Sequence, residues 1–197
     1  MGKAEQIIPS HSVFSYLMPT SSNSKENWTE SNFKETSSWK NGRSGFGFQR
    51  SGTSLSSIIK TKIPLSKRVI WTRKKFSVNN HQTLAYLLLR IQFDDGFIAY
   101  LNGKKVASFN APEKPKYNSY AINNNNDISF MDFDLSEHTQ LLRAGKNNIL
   151  AVAAFDNRTD RNEFFVMPTL LGGRSEGIDP TQREFLTLPT PGRLNTG

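Results

Sequence analysis

The chain has 197 residues, a length that suits a single β-sandwich domain. Hydrophobic residues make up 36% and charged residues 21% of it, so a packed core can form and wholesale disorder is excluded. The apolar residues occur in short runs, none near the roughly 20 residues that span a bilayer, which excludes a transmembrane helix. Cysteine is absent, which excludes disulfides, thiolate metal ligands and a cysteine nucleophile.

The net charge of +8 favours a polyanionic partner. The candidates are nucleic acid, anionic lipid, and a sulfated or carboxylated polysaccharide. A basic surface that only improves solubility is the alternative, and charge alone does not separate these interpretations.

The first segment with a recognisable pattern, residues 19–57, is rich in Ser, Asn, Thr and Gly. A stretch this polar is not a central strand, yet its aromatic rings need burial. We therefore expect an ordered, irregular wrap with short strands, pinned to the core by Trp28, Phe33, Trp39, Phe46 and Phe48.

β-prone segments follow one another after the wrap. Asn79-Asn80 predicts a turn between the β-prone segments 75–78 and 84–93. The segment 84–93 is apolar nearly throughout at its start, which predicts burial on both faces there and on one face at its end. Asn102-Gly103 predicts a two-residue hairpin turn between the last two, because both residues tolerate positive φ. The five segments are 69–72, 75–78, 84–93, 97–101 and 104–109.

Residues 110–127 form a long polar loop, and a strand is predicted over 128–133. Residues 136–142 are predicted to make one or two helical turns, with Ser136 as N-cap and Gly145 as a left-handed stop. Residues 149–155 are typical of a central strand, and 164–167 of a final core strand.

Many short strands with one weak helix predict an all-β, jelly-roll-like antiparallel β-sandwich rather than a βαβ fold. We assign residues 1–175 to this domain. Residues 176–197 are rich in Gly, Pro and Arg, and we interpret them as a C-terminal extension and linker to a further module.

Two segments resemble the signatures of galactose-binding-like domains. Residues 94–107, DDGFIAYLNGKKVA, resemble the DDG…YLNG…V signature, and residues 142–152, LRAGKNNILAV, resemble the LLRAGxNxLAV segment. The segments at 38–48, 73–76 and 189–195 are similar to flanking phrases of the same family, so the resemblance covers nearly the whole chain.

The resemblance implies a β-sandwich of the kind used as carbohydrate-binding modules and as accessory domains of glycoside hydrolases in secreted, multimodular bacterial proteins. A secreted or cell-surface location and attachment to other modules follow as expectations. No signal peptide is visible at the polar start, and Met1-Gly2 is typical of an excised domain. The family's recurrent residues have structural roles: Asp95 and Gly96 in a tight turn, Asn102-Gly103 in a hairpin and Gly145 at a helix stop.

Catalytic patterns are absent from the sequence. The three histidines stand in polar or turn contexts, and no nucleophile elbow or paired-histidine metal spacing occurs. Asp94 and Asp95 are the candidate carboxylate pair for glycoside hydrolysis, but neighbours in a strand face opposite ways. At a turn they are better suited to capping backbone amides, so we expect no enzymatic activity.

A structural calcium ion is the one cofactor that the resemblance brings into question. No candidate ligand has the spacing of a recognised calcium loop, so solvated surface acids are the favoured interpretation of each. The candidates are Asp127, Asp132, Asp134, Asp156, Asp160 and Glu163.

Sugar binding uses aromatic rings that stack on pyranoses and polar side chains that bind hydroxyls. Trp39, Phe46 and Phe48 are expected in the core, and a core role is also favoured for Trp71. Loops at the ends of a sandwich are common binding edges. The candidate carbohydrate-binding residues are Trp28, Trp71, Lys114, Lys116, Tyr117, Tyr120, Arg158 and Arg161.

Basic residues crowd the segment 60–75, and a solvated face is their default interpretation. If they converged with Lys104 and Lys105, the surface would suit sulfate esters. No nucleic-acid-binding motif is present, so nucleic acid is not an expected partner. The basic residues are Lys60, Lys62, Lys67, Arg68, Arg73, Lys74 and Lys75.

The sequence therefore predicts a non-catalytic carbohydrate-binding module for an anionic polysaccharide, such as a sulfated algal galactan. The alternative is a structural spacer that supports a neighbouring enzyme or surface protein and has no ligand of its own. An exposed aromatic platform would favour binding, whereas burial of every tryptophan would favour the spacer.

Overall fold

The structure is a computed structural model that describes residues 5–23, 25–50, 54–79, 84–125, 127–157 and 162–174. Short 3-10 turns occur at Ser21–Asn23, Ser54–Ser57 and Ser136–Leu141, and no described helix is long and apolar enough to cross a membrane. The strands are β1 (Glu5–Ile8), β2 (Val13–Leu17), β3 (Lys40–Arg43), β4 (Phe46–Gln49), β5 (Thr61–Lys62), β6 (Val69–Val78), β7 (Leu84–Asp94), β8 (Gly96–Leu101), β9 (Lys104–Phe109), β10 (Met131–Asp134), β11 (Gly145–Phe155) and β12 (Glu163–Arg174).

The strands form two sheets that pack face to face. The first sheet has the order β10-β7-β12-β4-β5, with β1 paired to β12, and the second has the order β3-β2-β6-β11-β8-β9. All pairings within the sheets are antiparallel except the short parallel pair of β4 and β5. The predicted all-β antiparallel sandwich is confirmed.

The main core lies between the two sheets and is built from the inward-facing residues of both. On β7 every second side chain is buried, because successive residues of a strand point to opposite faces. The inward side chains of β12 in the first sheet and of β6, β8 and β11 in the second sheet complete this core. Its fully buried members include Phe14, Phe46, Ile70, Leu89, Phe93, Phe97, Leu150 and Phe164.

Two strand predictions are wrong in detail. Residues 69–78 form the single ten-residue strand β6, not two strands joined by a turn. On β7 the side chains alternate between partly exposed and buried from the start, and burial on both faces begins only at its end. The reason is that the chain around Asn125 and Ile128 packs on that end, where Asn125 Nδ2 donates to Phe93 O and Gln92 Nε2 donates to Ile128 O.

The hairpin of β8 and β9 is confirmed. Asn102 and Gly103 have φ angles of 49° and 89°, and the two strands pair from Leu101 with Lys104 to Phe97 with Phe109. Gly96 begins β8 where a side chain has no room, since a Cβ there would lie 2.5 Å from the carbonyl oxygen of Asn110.

The predicted helix over 136–142 is a 3-10 turn that ends at Leu141. Its N-cap is Leu135, and the side chain that accepts the Ser136 N–H bond is that of Asp134, at 2.8 Å. Gly145 has a φ of 82° as predicted, but it stands at the irregular start of β11 and not at the helix end. Left-handed glycine serves both purposes, so the sequence pattern alone did not separate them.

A third layer covers the outer face of the second sheet. It consists of the wrap around residues 20–39 and the loop around residues 110–125. Its aromatic residues pack on the outward side chains of β6, β8 and β11 in a second hydrophobic cluster, which includes Trp28, Trp39, Val69, Trp71, Ile98, Ala121, Ala151, Ala153 and Phe155. The predicted irregular wrap, pinned by its aromatic rings, is confirmed for residues 20–39, whereas Phe46 and Phe48 lie on β4 and pack in the main core.

Candidate functional site

A stacked pair of tryptophans marks the centre of the third layer. Trp71 points outward from β6, and its neighbour on β11 is Ala153, which leaves space above the sheet. Trp28 of the wrap fills part of that space and stacks on Trp71, with ring centroids 4.6 Å apart and planes 8° from parallel. Tyr100 of β8 meets Trp28 edge to face at 5.9 Å.

Arg73 fixes the wrap to the sheet two residues further along β6. Its guanidinium donates to the carbonyl oxygens of Trp28 and Glu30 and, through Nε, to Glu35 Oε1 at 3.0 Å. The cation also lies 5.1 Å from the ring centre of Phe33. Burial lowers the pKa of Arg73 from its usual value, while the hydrogen bond and the charge of Glu35 raise it. Arg73 is buried, so its assignment to a solvated basic face is wrong.

Asp95 fixes the other part of the third layer, the loop around residues 110–125. Its Oδ1 accepts the Asn125 N–H at 2.8 Å and its Oδ2 accepts the Asn157 N–H at 2.6 Å, which confirms the predicted capping role for Asp95. The prediction is not confirmed for Asp94, whose buried Oδ2 has no partner among the described residues. Asn110 Nδ2 donates to Asp95 O, and Asn110 Oδ1 accepts the Asn123 N–H at 2.9 Å. The two ends of the loop are therefore held together at one point.

The tip of this loop contains a tight turn. The Lys116 N–H donates to Ser119 Oγ at 2.8 Å, and the Ser119 N–H donates back to the Lys116 carbonyl oxygen at 3.2 Å. This turn directs Lys116 and the half-buried Tyr117 towards the tryptophan pair.

An open cleft of about 370 Å³ lies between the wrap and the loop, and we call it the aromatic cleft. Glu26 forms part of its wall: its Oε1 accepts a hydrogen bond from Asn23 Nδ2 at 2.9 Å, and its buried Oε2 has no partner among the described residues. Burial raises the pKa of Tyr100 above its ordinary value. The lining residues are Glu26, Trp28, Trp71, Tyr100, Pro115, Lys116, Tyr117 and Ala153.

The structure brings four of the predicted site residues together in this cleft: Trp28, Trp71, Lys116 and Tyr117. Tyr120 lies in the depressions next to it, and Lys114 is exposed and does not line it. Arg158 and Arg161 lie outside the described residues.

Sequence reasoning missed Glu26, Tyr100 and Pro115. Tyr100 alternates with the buried Ala99 and Leu101 on β8, and this period-two pattern was a usable signal that its ring faces the opposite side of the sheet. No comparable signal in the sequence marks Glu26 or Pro115.

The tryptophans do not form an open platform. Trp28, Trp39 and Trp71 are 7%, 8% and 7% exposed, so each ring presents only an edge to solvent. By the criterion set out above, this burial favours the spacer interpretation, while the cleft beside the ring edges favours binding.

The basic residues of the segment 60–75 do not converge with Lys104 and Lys105. Lys74 and Lys104 lie on strands separated by β11 and β8, which places them about 14 Å apart at the usual strand spacing. Lys67 and Arg68 precede β6 at its opposite end, some six residues from Lys74.

Buried carboxylates cluster where β7, β8, β11 and β12 meet. Burial, followed by the charge and hydrogen bond of Asp95 and the charges of Glu163 and Asp156, raises the pKa of Asp94 to about 9. Burial also raises the pKa of Asp156 to about 7 against the opposing effect of Arg68, with which it forms an ion pair. These groups lie inside the fold and not across an open cleft.

Three of the calcium candidates bind other groups of the protein. Asp132 binds Arg90 through both oxygens at 2.7 Å, Asp134 accepts the Ser136 N–H, and Asp127 accepts the Ser129 N–H at 2.8 Å. Asp160 lies outside the described residues. Among those that are described, no three histidine or carboxylate side chains come together in a way that could hold a metal ion, and calcium binding stays a prediction.

The fold and the cleft together define a β-sandwich domain with an aromatic, polar-lined depression on one sheet. No family model and no curated protein matches the sequence. The structure is similar to a β-glucuronidase of an uncultured Clostridium species (TM-score 0.53, 13% identity), over 88% of this chain and 29% of that one. It is also similar to the Ruminococcus gnavus β-glucuronidase bound to D-glucaro 1,5-lactone, with a TM-score of 0.52 and 10% identity over 87% of this chain and 29% of that one. The Faecalibacterium prausnitzii β-glucuronidase is similar with a TM-score of 0.52 and 10% identity, over 87% of this chain and 32% of that one.

The chain thus spans less than a third of the length of these enzymes. At this level of identity the likeness shows a shared fold, a β-sandwich that occurs as one part of larger chains. The family resemblance of the two sequence segments stays a prediction.

Proposed function

We propose that this domain is a non-catalytic carbohydrate-binding module for an anionic polysaccharide, with the aromatic cleft as the site that holds a sugar ring. The domain would work in a secreted or cell-surface protein beside other modules. The observation that carries the proposal is the chemistry of the cleft, in which aromatic rings stand beside a buried carboxylate oxygen without a partner.

This combination matches what a pyranose needs. A buried acceptor without a hydrogen bond costs about 1–3 kcal/mol, and a turn of the Glu26 side chain that brings Oε2 to a sugar hydroxyl in the cleft would recover this free energy. Tyr117, half-buried on the loop, supplies a ring that can lie against the apolar face of a sugar. Lys116 of the cleft lining adds hydrogen-bond donors for the hydroxyl oxygens of the sugar.

The absence of catalysis is part of the proposal. Of the eight residues that line the aromatic cleft, Glu26 is the one carboxylate, whereas glycoside hydrolysis uses a pair. The solved structures with this fold are β-glucuronidases that extend well beyond it, which is compatible with a sandwich that accompanies a catalytic domain elsewhere in the chain.

The test is affinity electrophoresis in gels that contain neutral or sulfated polysaccharides, at about 150 mM salt so that simple charge attraction is screened. We expect one polymer to retard the domain. Tyr117→Ala should weaken that retardation about tenfold, because a stacking contact of about 1–1.5 kcal/mol is lost. Lys114→Ala is the matched control, since Lys114 is exposed on the same loop and does not line the cleft.

The spacer is the second candidate function, and the burial of all three tryptophans favours it. If no polymer retards the domain, the spacer interpretation replaces the binding module. If one polymer retards it but Tyr117→Ala and Lys114→Ala weaken the retardation equally, the aromatic cleft is not the binding site.

A further inference from the structure

Two depressions continue from the aromatic cleft across the end of the sandwich. The first, of about 400 Å³, shares Tyr117 with the aromatic cleft and reaches Lys67, Arg68 and Tyr120. The second, of about 460 Å³, shares Ser66, Arg68 and Tyr120 with the first and extends to Arg50. We call these two depressions together the basic groove. The shared residues place the cleft and the groove next to each other, with Tyr117 at their common border.

The charges are distributed unevenly along this surface. The aromatic cleft has one acid and one base, Glu26 and Lys116. The basic groove has Arg50, Lys67 and Arg68 in its lining and, among the residues that the structure describes, no carboxylate. Clefts lined by one sign of charge concentrate ions of the opposite sign, so the groove attracts anions more strongly than the cleft does.

The three cations of the groove are held differently. Arg68 is 13% exposed and bound to the buried Asp156, which fixes its guanidinium at the wall. Arg50 is exposed and Lys67 is half-buried, and the described part of the chain provides neither side chain with an ion pair. Arg50 and Lys67 can therefore turn their charge towards a bound anion, while Arg68 contributes a fixed one.

We propose that the basic groove is an anion subsite that binds the sulfate or carboxylate group of one sugar residue while another residue of the same chain occupies the aromatic cleft. The domain then recognises at least two sugar residues of an anionic polysaccharide at once. This inference rests on the proposed function, which supplies the polysaccharide. It adds where the acidic group is bound and which residues bind it.

The alternation of chemistry along the surface supports this arrangement. Glu26 repels an acidic substituent in the aromatic cleft but accepts hydroxyl hydrogen bonds, so a neutral face of the sugar suits that end. The acidic substituent then belongs at the other end, where arginine binds sulfate bidentately and lysine binds it as a point charge.

The test uses two double variants with the same loss of charge. Arg50→Ala/Lys67→Ala removes the two adjustable cations of the groove, and Lys40→Ala/Lys75→Ala removes two exposed lysines that line neither the cleft nor the groove. Binding of a sulfated polysaccharide and of the same polymer after desulfation is measured by isothermal titration at about 150 mM salt, where long-range charge effects are screened.

We expect the groove variant to bind the sulfated polymer at least about tenfold more weakly, since charge-assisted hydrogen bonds are each worth about that factor. Its affinity for the desulfated polymer should equal that of the unaltered protein. The Lys40→Ala/Lys75→Ala variant should lose less than about twofold for either polymer.

The possible failures are distinguishable. If Tyr117→Ala abolishes binding but the two double variants lose affinity equally, the anion subsite is wrong and the proposed function stands. If no polymer binds the unaltered protein, both fail. If the groove variant loses affinity for single-stranded DNA as strongly as for the sulfated polymer, the groove is a general polyanion surface and the assignment to polysaccharide is overturned.

Discussion

Arg73 shows how one residue joins two layers of this molecule. A buried guanidinium is costly unless its donors find partners, and Arg73 finds them in the carbonyl oxygens of Trp28 and Glu30 and in the carboxylate of Glu35. These partners lie some 40 residues upstream, in a polar segment without regular structure. The sequence places Arg73 among other basic residues, so nothing local distinguished it from a solvated charge.

The residue-scale prediction concerns the geometry of this side chain. We expect Arg73→Lys to lower the free energy of unfolding by about 2 kcal/mol, because one ammonium group cannot reach the acceptors that the planar guanidinium joins. The wrap should also loosen over Trp71, which would change the near-ultraviolet circular dichroism of the tryptophans. Urea denaturation and the spectrum of the native state are the two measurements.

Lys75→Ala is the control for Arg73→Lys, since Lys75 is exposed two residues along the same strand. Its free energy of unfolding should change by no more than about 0.5 kcal/mol. Equal effects of the two variants would contradict the anchoring role of Arg73.

At the scale of elements, the turn of the β8–β9 hairpin also ties down the segment before β11. Asn102 Nδ2 donates to Leu141 O at 2.8 Å and to Asn148 Oδ1 at 2.9 Å, and Asn102 Oδ1 accepts the Ile149 N–H at 2.8 Å. Asn148 in turn bonds both backbone groups of Arg143. This network gives a physical reason for asparagine in both segments, the one at 94–107 and the one at 142–152.

The element-scale prediction is that Asn148→Ala destabilises the domain by about 2–4 kcal/mol. Asn148 is fully buried, and the loss of its hydrogen bonds would leave the polar groups of Asn102 and Arg143 without partners. Its neighbour provides the control: Asn147 is exposed with a φ of 84°, so Asn147→Gly relieves backbone strain and should leave stability unchanged or slightly higher. Urea denaturation of both variants is the measurement. A small loss for Asn148→Ala would mean that water replaces the network.

The strands and the hairpin could be predicted because their signals are local. Alternation along β9, the apolar run of β11 and the Asn102-Gly103 turn each specify structure within a few residues. The end of the turn at 136–141 could not be predicted in the same way, since a left-handed Gly145 fits a helix stop and an irregular strand start equally well. The unbroken length of β6 depends on its pairing with β11, which only the folded sheet provides.

At the scale of the whole molecule, the candidate site is assembled from five separate parts of the chain. The wrap, β6, β8, β11 and the loop around residue 116 each contribute to the aromatic cleft. Residue type identified Trp28, Trp71, Lys116 and Tyr117 in advance, but their meeting depends on contacts between distant segments. For the same reason the sequence did not show which of Lys114 and Lys116 lies in the cleft. The loop turn places only Lys116 there.

The carboxylate cluster at the meeting of the two sheets gives the whole fold a dependence on pH. The pKa of Asp94 rises from 3.8 to about 9 on folding, mainly through burial and then through Asp95, Glu163 and Asp156. Between these values the folded chain holds a proton that the unfolded chain has released. Stability from this group is therefore complete below about pH 4 and is lost as the pH rises towards 9.

We expect Asp94→Asn to remove the contribution of Asp94 to this dependence, while the contribution of Asp156, whose pKa is raised to about 7, remains. The amide can donate to Asp95 as the protonated acid does, so the variant and the unaltered protein should have similar melting temperatures at pH 5. At pH 9 the unaltered protein should be less stable than the variant by about 2 kcal/mol. This is less than the full change in the pKa of Asp94 would give, because the neighbouring carboxylates titrate together with it.

Asp127→Asn is the control. Asp127 is exposed, and its hydrogen bonds from Ser129 lower its pKa, so this substitution leaves the change of stability between pH 5 and 9 as it is in the unaltered protein. Parallel melting curves for Asp94→Asn and the unaltered protein would mean that Asp94 is already ionised in the fold, and that a cation or water stabilises the cluster instead of a proton.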